Sequence, residues 1–420
     1  MKGYGVAARL DGDAAAEWRK GWPVVLAGAM GMALATTHVY STGLFMAPLE
    51  QEFGWSRTAI SAGLTISAVV GVLTAPFVGL AIDRLGPRRI GLWCCTAFCI
   101  VFALLSTVGS SIWNWWALWL LLACTTTGIK PTVWTAAVSS LFARGRGLAL
   151  SLMLCGTGLG SSLTPLICNL LIKDYGWRTA YLGLAGFWAV LVLPLLFFFF
   201  SSAKDRHRVS RAETVAVPAA LTGMSAREGF RSPRFYKLAA GAFLIALVAV
   251  SFTVNMVPIL SFTGLTRDNA AAIAGTIGIS SIVGRITAGL LLDRLNGNII
   301  AGVSVLLPIA SCALLLMAPG SAPVSFVAAI ILGLCLGSEL DAVAYLATRH
   351  FGMRSFGVLF GTISGLLALA TGVGPLLVSA VYDTTGSYMP VLWAYVPLCL
   401  IAAGLFFTLG AYPDAHGEPE

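Results

Sequence analysis

The chain has 420 residues, of which 58% are hydrophobic and only 10% charged, and its formal net charge is +8. A soluble domain carries about 25% charged residues, so this sequence cannot clothe a water-facing surface. Composition therefore excludes a soluble enzyme and makes lipid the solvent for most of the surface.

Residues 1–21 hold Asp11, Asp13, Glu17 and Arg19 and no short apolar run of the secretory kind, so they read as a cytoplasmic N-terminal segment. Beyond them come twelve apolar runs of the roughly 20 residues that cross a bilayer core. They are 22–48, 57–82, 90–110, 113–142, 145–172, 177–201, 235–262, 267–294, 298–318, 322–350, 354–381 and 388–411. Most are apolar all round, as helices in lipid are, and the alternation of β-barrel strands is absent. The expected fold is an all-α membrane protein with twelve transmembrane helices. Its domains are a six-helix bundle at 22–201, a basic cytoplasmic linker at 202–234, a second six-helix bundle at 235–411 and a cytoplasmic tail at 412–420. In the linker, Ser225 and Glu228 have capping-box spacing and predict a short surface helix running into Pro233.

Most of the 26 Lys and Arg fall in the connections that lie inside if the N-terminus is inside, among them Arg84, Arg88, Arg89, Arg144, Arg146, Arg294, Arg349 and Arg354. The other side has Arg57, Lys173, Arg178 and Arg267. The positive-inside rule then places both termini in the cytoplasm of a cell whose inner (plasma) membrane holds the chain. The nine cysteines lie in apolar runs without metal-ligand spacing and read as small buried hydrophobes. Trp113, Trp115 and Trp116 read as interfacial anchors.

A shift of 210 residues lays 43–85 on 253–295 without a gap. Pro48 meets Pro258, Gly54 meets Gly264, Arg57 meets Arg267, and Gly79, Asp83 and Arg84 meet Gly289, Asp293 and Arg294. A shift of 209 places Gly128 on Gly337. Each half is thus one structural unit, and the two are related by an axis along the membrane normal.

The connection after the second run reads Gly79-Leu-Ala-Ile-Asp83-Arg84-Leu-Gly86-Pro-Arg88-Arg89. Arg84, Arg88 and Arg89 serve as positive-inside anchors in the plain reading. The whole pattern resembles the loop signature of the major facilitator superfamily, with a degenerate copy around Asp293 and Arg294. The resemblance implies two bundles around a cavity that opens alternately to each side, with Asp83 and the arginines latching one state. Phe53-Gly-Trp-Ser-Arg57, Gly176-Trp-Arg178, Tyr345-Leu-Ala-Thr-Arg349 and Tyr382-Asp383-Thr-Thr-Gly386-Ser-Tyr388 further resemble the bacterial monocarboxylate transporter and oxalate:formate antiporter branch.

Four charges stand out in the interiors of the apolar runs: Lys130, Arg285, Glu339 and Asp341. Such a charge costs ~2.5–3.5 kcal/mol on insertion scales, so it marks a site. Arg285 stands opposite Ala75 in the repeat and is therefore no part of the shared scaffold. Its planar fork suits a carboxylate, and the branch carries a substrate-binding Arg on its eighth span. The competing reading is a structural ion pair with Glu339 or Asp341. Animal-type monocarboxylate carriers have an Asp four residues before this Arg, where this chain has Ser281. The oxalate carrier has a Lys in span eleven, which here has no interior cation. A monoanion therefore fits better than a dianion, unless Lys130 faces the cavity.

Glu339 and Asp341 are two positions apart, about 200° around a helix, and face different ways. One is expected to pair with Lys130 or Arg285 as a gate while the other packs in its bundle, with proton carriage as the sharper alternative. His38, Tyr40 and Asn255 are polar ligand candidates, and Trp134, Tyr345 and Tyr382 are further ones, each equally readable as packing or helix–helix bonding. Gly156, Gly158 and Gly160, and Gly361 with Gly365, are expected to admit close helix contacts. The expected activity is secondary transport of a small organic anion such as a monocarboxylate, coupled to protons or a counter-anion. Dicarboxylate or formate exchange is the alternative, and a ligand sensor is a more distant one. A monomer in membrane lipid is expected, with no cofactor, metal or nucleic-acid partner.

Overall fold

The computed structural model describes residues 4–142, 146–201, 224–292, 294–352 and 355–412. Every regular element among them is helical: α1 (Tyr4–Phe53), α2 (Arg57–Leu85), α3 (Pro87–Leu104), α4 (Ile112–Thr126), α5 (Pro131–Leu141), α6 (Arg146–Leu154) and α7 (Gly156–Phe199) in the first half. The second half holds α8 (Ala226–Arg231), α9 (Pro233–Val254), α10 (Met256–Phe262), α11 (Arg267–Leu292), α12 (Gly297–Met317), α13 (Ala322–Phe351), α14 (Phe356–Thr385) and α15 (Met389–Phe407).

Ten helices among the described residues are individually long and apolar enough to span a membrane, against twelve apolar runs. Two local effects account for the difference. The fifth and sixth runs join in α7, whose 44 residues would extend about 66 Å, roughly twice a bilayer core. The joint is Gly176, whose φ of 80° a side chain would resist, so α7 reads as two crossings. The fourth run breaks instead. A 3-10 turn at Thr127–Ile129 leads to an extended Lys130 (φ −68°, ψ 162°), because Pro131 expels the preceding residue from helical geometry.

The backbone carries the repeat as well. Gly54 and Gly264 both have positive φ, 67° and 101°, and Gly176 and Gly386 repeat this at 80° and 66° with the same 210-residue offset. The expected capping box is present at α8, where Ser225 Oγ accepts from Glu228 N and the Glu228 carboxylate accepts from Ser225 N.

The helices sort into two packed units. One comprises Met1–Ser41 and Leu73–Glu213, the other Thr42–Val72 and Thr214–Glu420. The end of α1 and the start of α2 thus pack with second-half helices, a division the linear boundary at 202–234 does not follow. In the first unit, Gly156 and Gly160 meet the backbone of α1, where an added Cβ would lie 1.9 Å from the Ala29 carbonyl and 2.5 Å from that of Ala33. Gly361 and Gly365 open instead on empty space, so their close-contact expectation is corrected. Two further corrections concern burial. Trp115 is fully buried, leaving Trp113, 73% exposed, as the outward-facing ring. Cys124 is exposed rather than buried.

Part of the loop signature lies among the described residues. Gly86 turns the chain with φ 85°, and Pro87 opens α3. Ile82 and Ile90 flank this turn and pack with Val133. Arg88 Nη2 donates to the carbonyl of Phe197 at 2.6 Å, at the C-terminal end of α7, where a cation offsets the helix dipole. Arg88→Ala should therefore fray that end, seen as faster amide hydrogen exchange at 197–200 with unchanged exchange at 156–165. Asp293 lies outside the described residues, as do the side chains of Asp83 and Arg84, while Arg294 is exposed.

Candidate functional site

The second unit gathers the intramembrane charges of the second half. α11 and α13 approach closely because small residues face each other. An added Cβ on Gly284 would lie 2.4 Å from the Leu334 carbonyl, and one on Gly337 would lie 2.0 Å from that of Ser281. This contact carries the charge pair: Arg285 Nη1 donates to Asp341 Oδ1 at 2.9 Å. The arginine side chain is 10% exposed and the aspartate 26%, so the pair is largely but not wholly enclosed. Ser280 and Ser281, one turn back from Arg285, are buried and donate to carbonyls of their own helix.

Glu339 takes the other face of α13. It lines a small void with Ile245 of α9, Ala301, Ser304 and Val305 of α12, and Phe406 of α15. Its Oε2 is buried with no hydrogen-bond partner among the described residues. The two acidic residues thus differ in their partners: Asp341 bonds Arg285 directly, while Glu339 faces the void.

Asn255 occupies the break between α9 and α10, with φ −93° and ψ 6°. It is completely buried, its Nδ2 donates to the Ser251 carbonyl at 2.9 Å, and its Oδ1 accepts from no described residue. The interrupted helix was not legible from hydropathy, since 238–262 carries no charged residue and Asn255 is one polar position within it. Tyr345 lies one turn beyond Asp341 and packs at Gly297 with Tyr412. Tyr382 sits at the far end of the unit, stacked on Tyr388 at 4.5 Å and beneath the Arg57 guanidinium at 4.0 Å. No described contact joins Tyr345 or Tyr382 to Arg285.

The remaining candidates belong to the first unit. His38 is buried against Phe98 and Trp119, with ring centroids 5.8 and 6.1 Å away. Trp134 is fully buried, donates from Nε1 to the Ile129 carbonyl at 2.8 Å and packs on Phe200. That is a packing role, set by the glycine at 31, whose added Cβ would strike the Trp134 ring at 2.5 Å. Tyr40 and Lys130 are half-buried.

Among the described residues the second unit thus combines a broken helix with a buried guanidinium beside a carboxylate. The chain is 27% identical to a gallate transporter of Pseudomonas putida, over 79% of this chain and 82% of that one. It is 25% identical to human monocarboxylate transporter 12, over 60% of this chain and 54% of that one. Among solved structures it resembles a bacterial homolog of the human lysosomal transporter Spinster. The inward-facing unoccupied form matches with a TM-score of 0.68 at 16% identity, covering 92% of this chain and 96% of that one. The occupied inward-facing form matches with a TM-score of 0.70 at 15% identity. The sequence profile of the Major Facilitator Superfamily matches residues 28–375, and the chain belongs to that family as a multi-pass transporter of the cell membrane, not an enzyme.

Proposed function

We propose that the protein carries a small organic anion, a monocarboxylate, across the membrane by alternating access, with Arg285 as the carboxylate anchor. The observation that carries this reading is the buried Arg285–Asp341 pair at the α11–α13 contact, in a span where a charge without a role is seldom tolerated. An arriving carboxylate exchanges for Asp341 on the same guanidinium fork, so the site exists before the ligand comes. The relatives support the class: a gallate transporter and a monocarboxylate transporter both name carboxylates. The lack of a Lys or Arg inside 356–381 favours one negative charge over two.

Coupling follows from the fate of Asp341. Once the substrate takes Arg285, Asp341 is left as a buried charge without its cation, which is costly. A proton on Asp341 gives symport. Return of Arg285 to Asp341 before the empty carrier reorients gives exchange. Glu339, in its apolar void, is the second group that a proton can occupy. The termini are placed in the cytoplasm and the working unit is a monomer.

The test is uptake by purified protein in liposomes. Labelled gallate, lactate, oxalate and a neutral sugar are offered with and without an inward proton gradient. Gallate or lactate uptake, with no sugar uptake, is the expected result. Sugar uptake alone, unchanged by Arg285→Ala, ends the anion reading. Acceleration by the gradient, lost in Asp341→Asn while counterflow persists, identifies symport.

A further inference from the structure

Two of the branch-like phrases, Phe53–Arg57 and Tyr382–Tyr388, are far apart in sequence and take no part in anion binding as proposed. In the second unit they meet. The first two amides of α2 have no acceptor within their own helix. Asp383, in the last turn of α14, supplies it: its carboxylate accepts from Arg57 N at 3.1 Å, Thr58 N at 2.8 Å and Thr58 Oγ1 at 2.5 Å. One half of the sequence thus caps a helix of the other. The Arg57 side chain completes the contact. Its Nε donates to Glu50 at 2.9 Å, its Nη1 donates to the Tyr388 hydroxyl at 2.6 Å, and its guanidinium lies over Tyr382. Below it Ser61 and Ser379 share a hydrogen bond of 2.7 Å, and Thr65 donates to the Gly372 carbonyl at 2.8 Å.

The repeat adds a second strut. Arg267, the repeat partner of Arg57, donates to the Leu44 carbonyl on α1. Two arginines at equivalent positions therefore each tie the first-half segment 42–72 to the second half. Asp383 has no such partner, since its repeat position is Lys173. These ties are chiefly polar, and several are exposed. Water replaces such bonds at little net cost when they part. The α11–α13 contact, built on glycine against backbone, has no comparable way to open.

We propose that Asp383, Arg57, Tyr382 and Tyr388 form a latch that holds one end of the transport path shut and must release in every cycle. The latch rests on the alternating-access reading but not on the identity of the substrate. By the charge bias, the end it closes is the outer one.

Two experiments on the full-length protein test it. The first needs no substrate. In the solubilised S61C variant, Asp383→Asn should raise labelling by a water-soluble maleimide roughly tenfold, because a charge-assisted cap is lost. The same protein with Ser61 intact subtracts labelling of the natural cysteines. An unchanged rate overturns the latch. The second uses the S61C/S379C pair, whose side chains replace hydroxyls already in contact. Oxidation should cut gallate or lactate uptake to about a tenth or less, with recovery on reduction, since a locked gate cannot cycle. Uptake by the oxidised pair at the reduced rate shows a static contact and overturns the proposal. If neither acid is carried even by the reduced protein, the anion reading fails and the labelling result still decides the latch.

Discussion

Arg285→Ala should lower carboxylate uptake by about 30-fold or more, because truncating one partner of a buried hydrogen-bonded charge pair costs ~2–5 kcal/mol. The single variant also strands Asp341, which is 26% exposed and loses its only described cation. Part of the loss could then come from a destabilised protein, and the double variant separates the two effects. Arg285→Ala with Asp341→Ala removes both charges, and replacing both members of a buried pair is often neutral for stability. Detergent melting and membrane expression should therefore recover in the double variant while uptake stays lost. Recovery of uptake together with stability would make the pair a structural brace and move the anion site elsewhere. Arg285→Lys should fall between, since an ammonium keeps the charge but loses the planar fork. The cycle of variants reads out the coupling directly.

The frame of this protein was legible because lipid leaves few ways to fold. Apolar length counted the crossings, and the repeat of Gly54 on Gly264 returned as matching left-handed backbone. Arg285 was legible for the same reason, as a charge that the repeat does not share. Hydropathy was blind to interruptions made by a single residue. Pro131 breaks the fourth run and Asn255 divides the seventh, yet neither residue by itself shifts the local apolar average, whereas the turn at Gly176 was marked by Lys173 and Asp174 between the fifth and sixth runs. Partners across the fold were blind spots of another kind. Helical spacing set Glu339 and Asp341 on different faces, but which face met Arg285 depended on how α13 is turned against α11. The meeting of Asp383 with α2 left no local signal, because a remote cap looks in sequence like a turn residue. Trp134 and Trp115 show the converse: an aromatic side chain in an apolar run does not reveal whether it faces lipid, a cavity or the core.

Gly337→Ala should destabilise the second unit by about 1–3 kcal/mol, the usual cost of overpacking a close contact. The argument lies in what the new methyl would meet. A Cβ there would sit 2.0 Å from the Ser281 carbonyl and 2.8 Å from the Arg285 backbone nitrogen, so no side chain can yield to make room. α13 must move away from α11, and the Arg285–Asp341 hydrogen bond, formed across that contact, lengthens with it. The variant should therefore melt earlier in detergent and bind substrate more weakly, both from one displacement. Gly361→Ala is the matched control, because nothing lies within 4 Å of the position a Cβ would take. There the methyl removes a flexible helical glycine at no steric cost, worth up to about 1 kcal/mol of stabilisation. By sequence the two are alike, small residues in apolar runs. Opposite shifts in melting temperature are expected, and equal shifts would show that α11 and α13 are not held at the distance this contact requires.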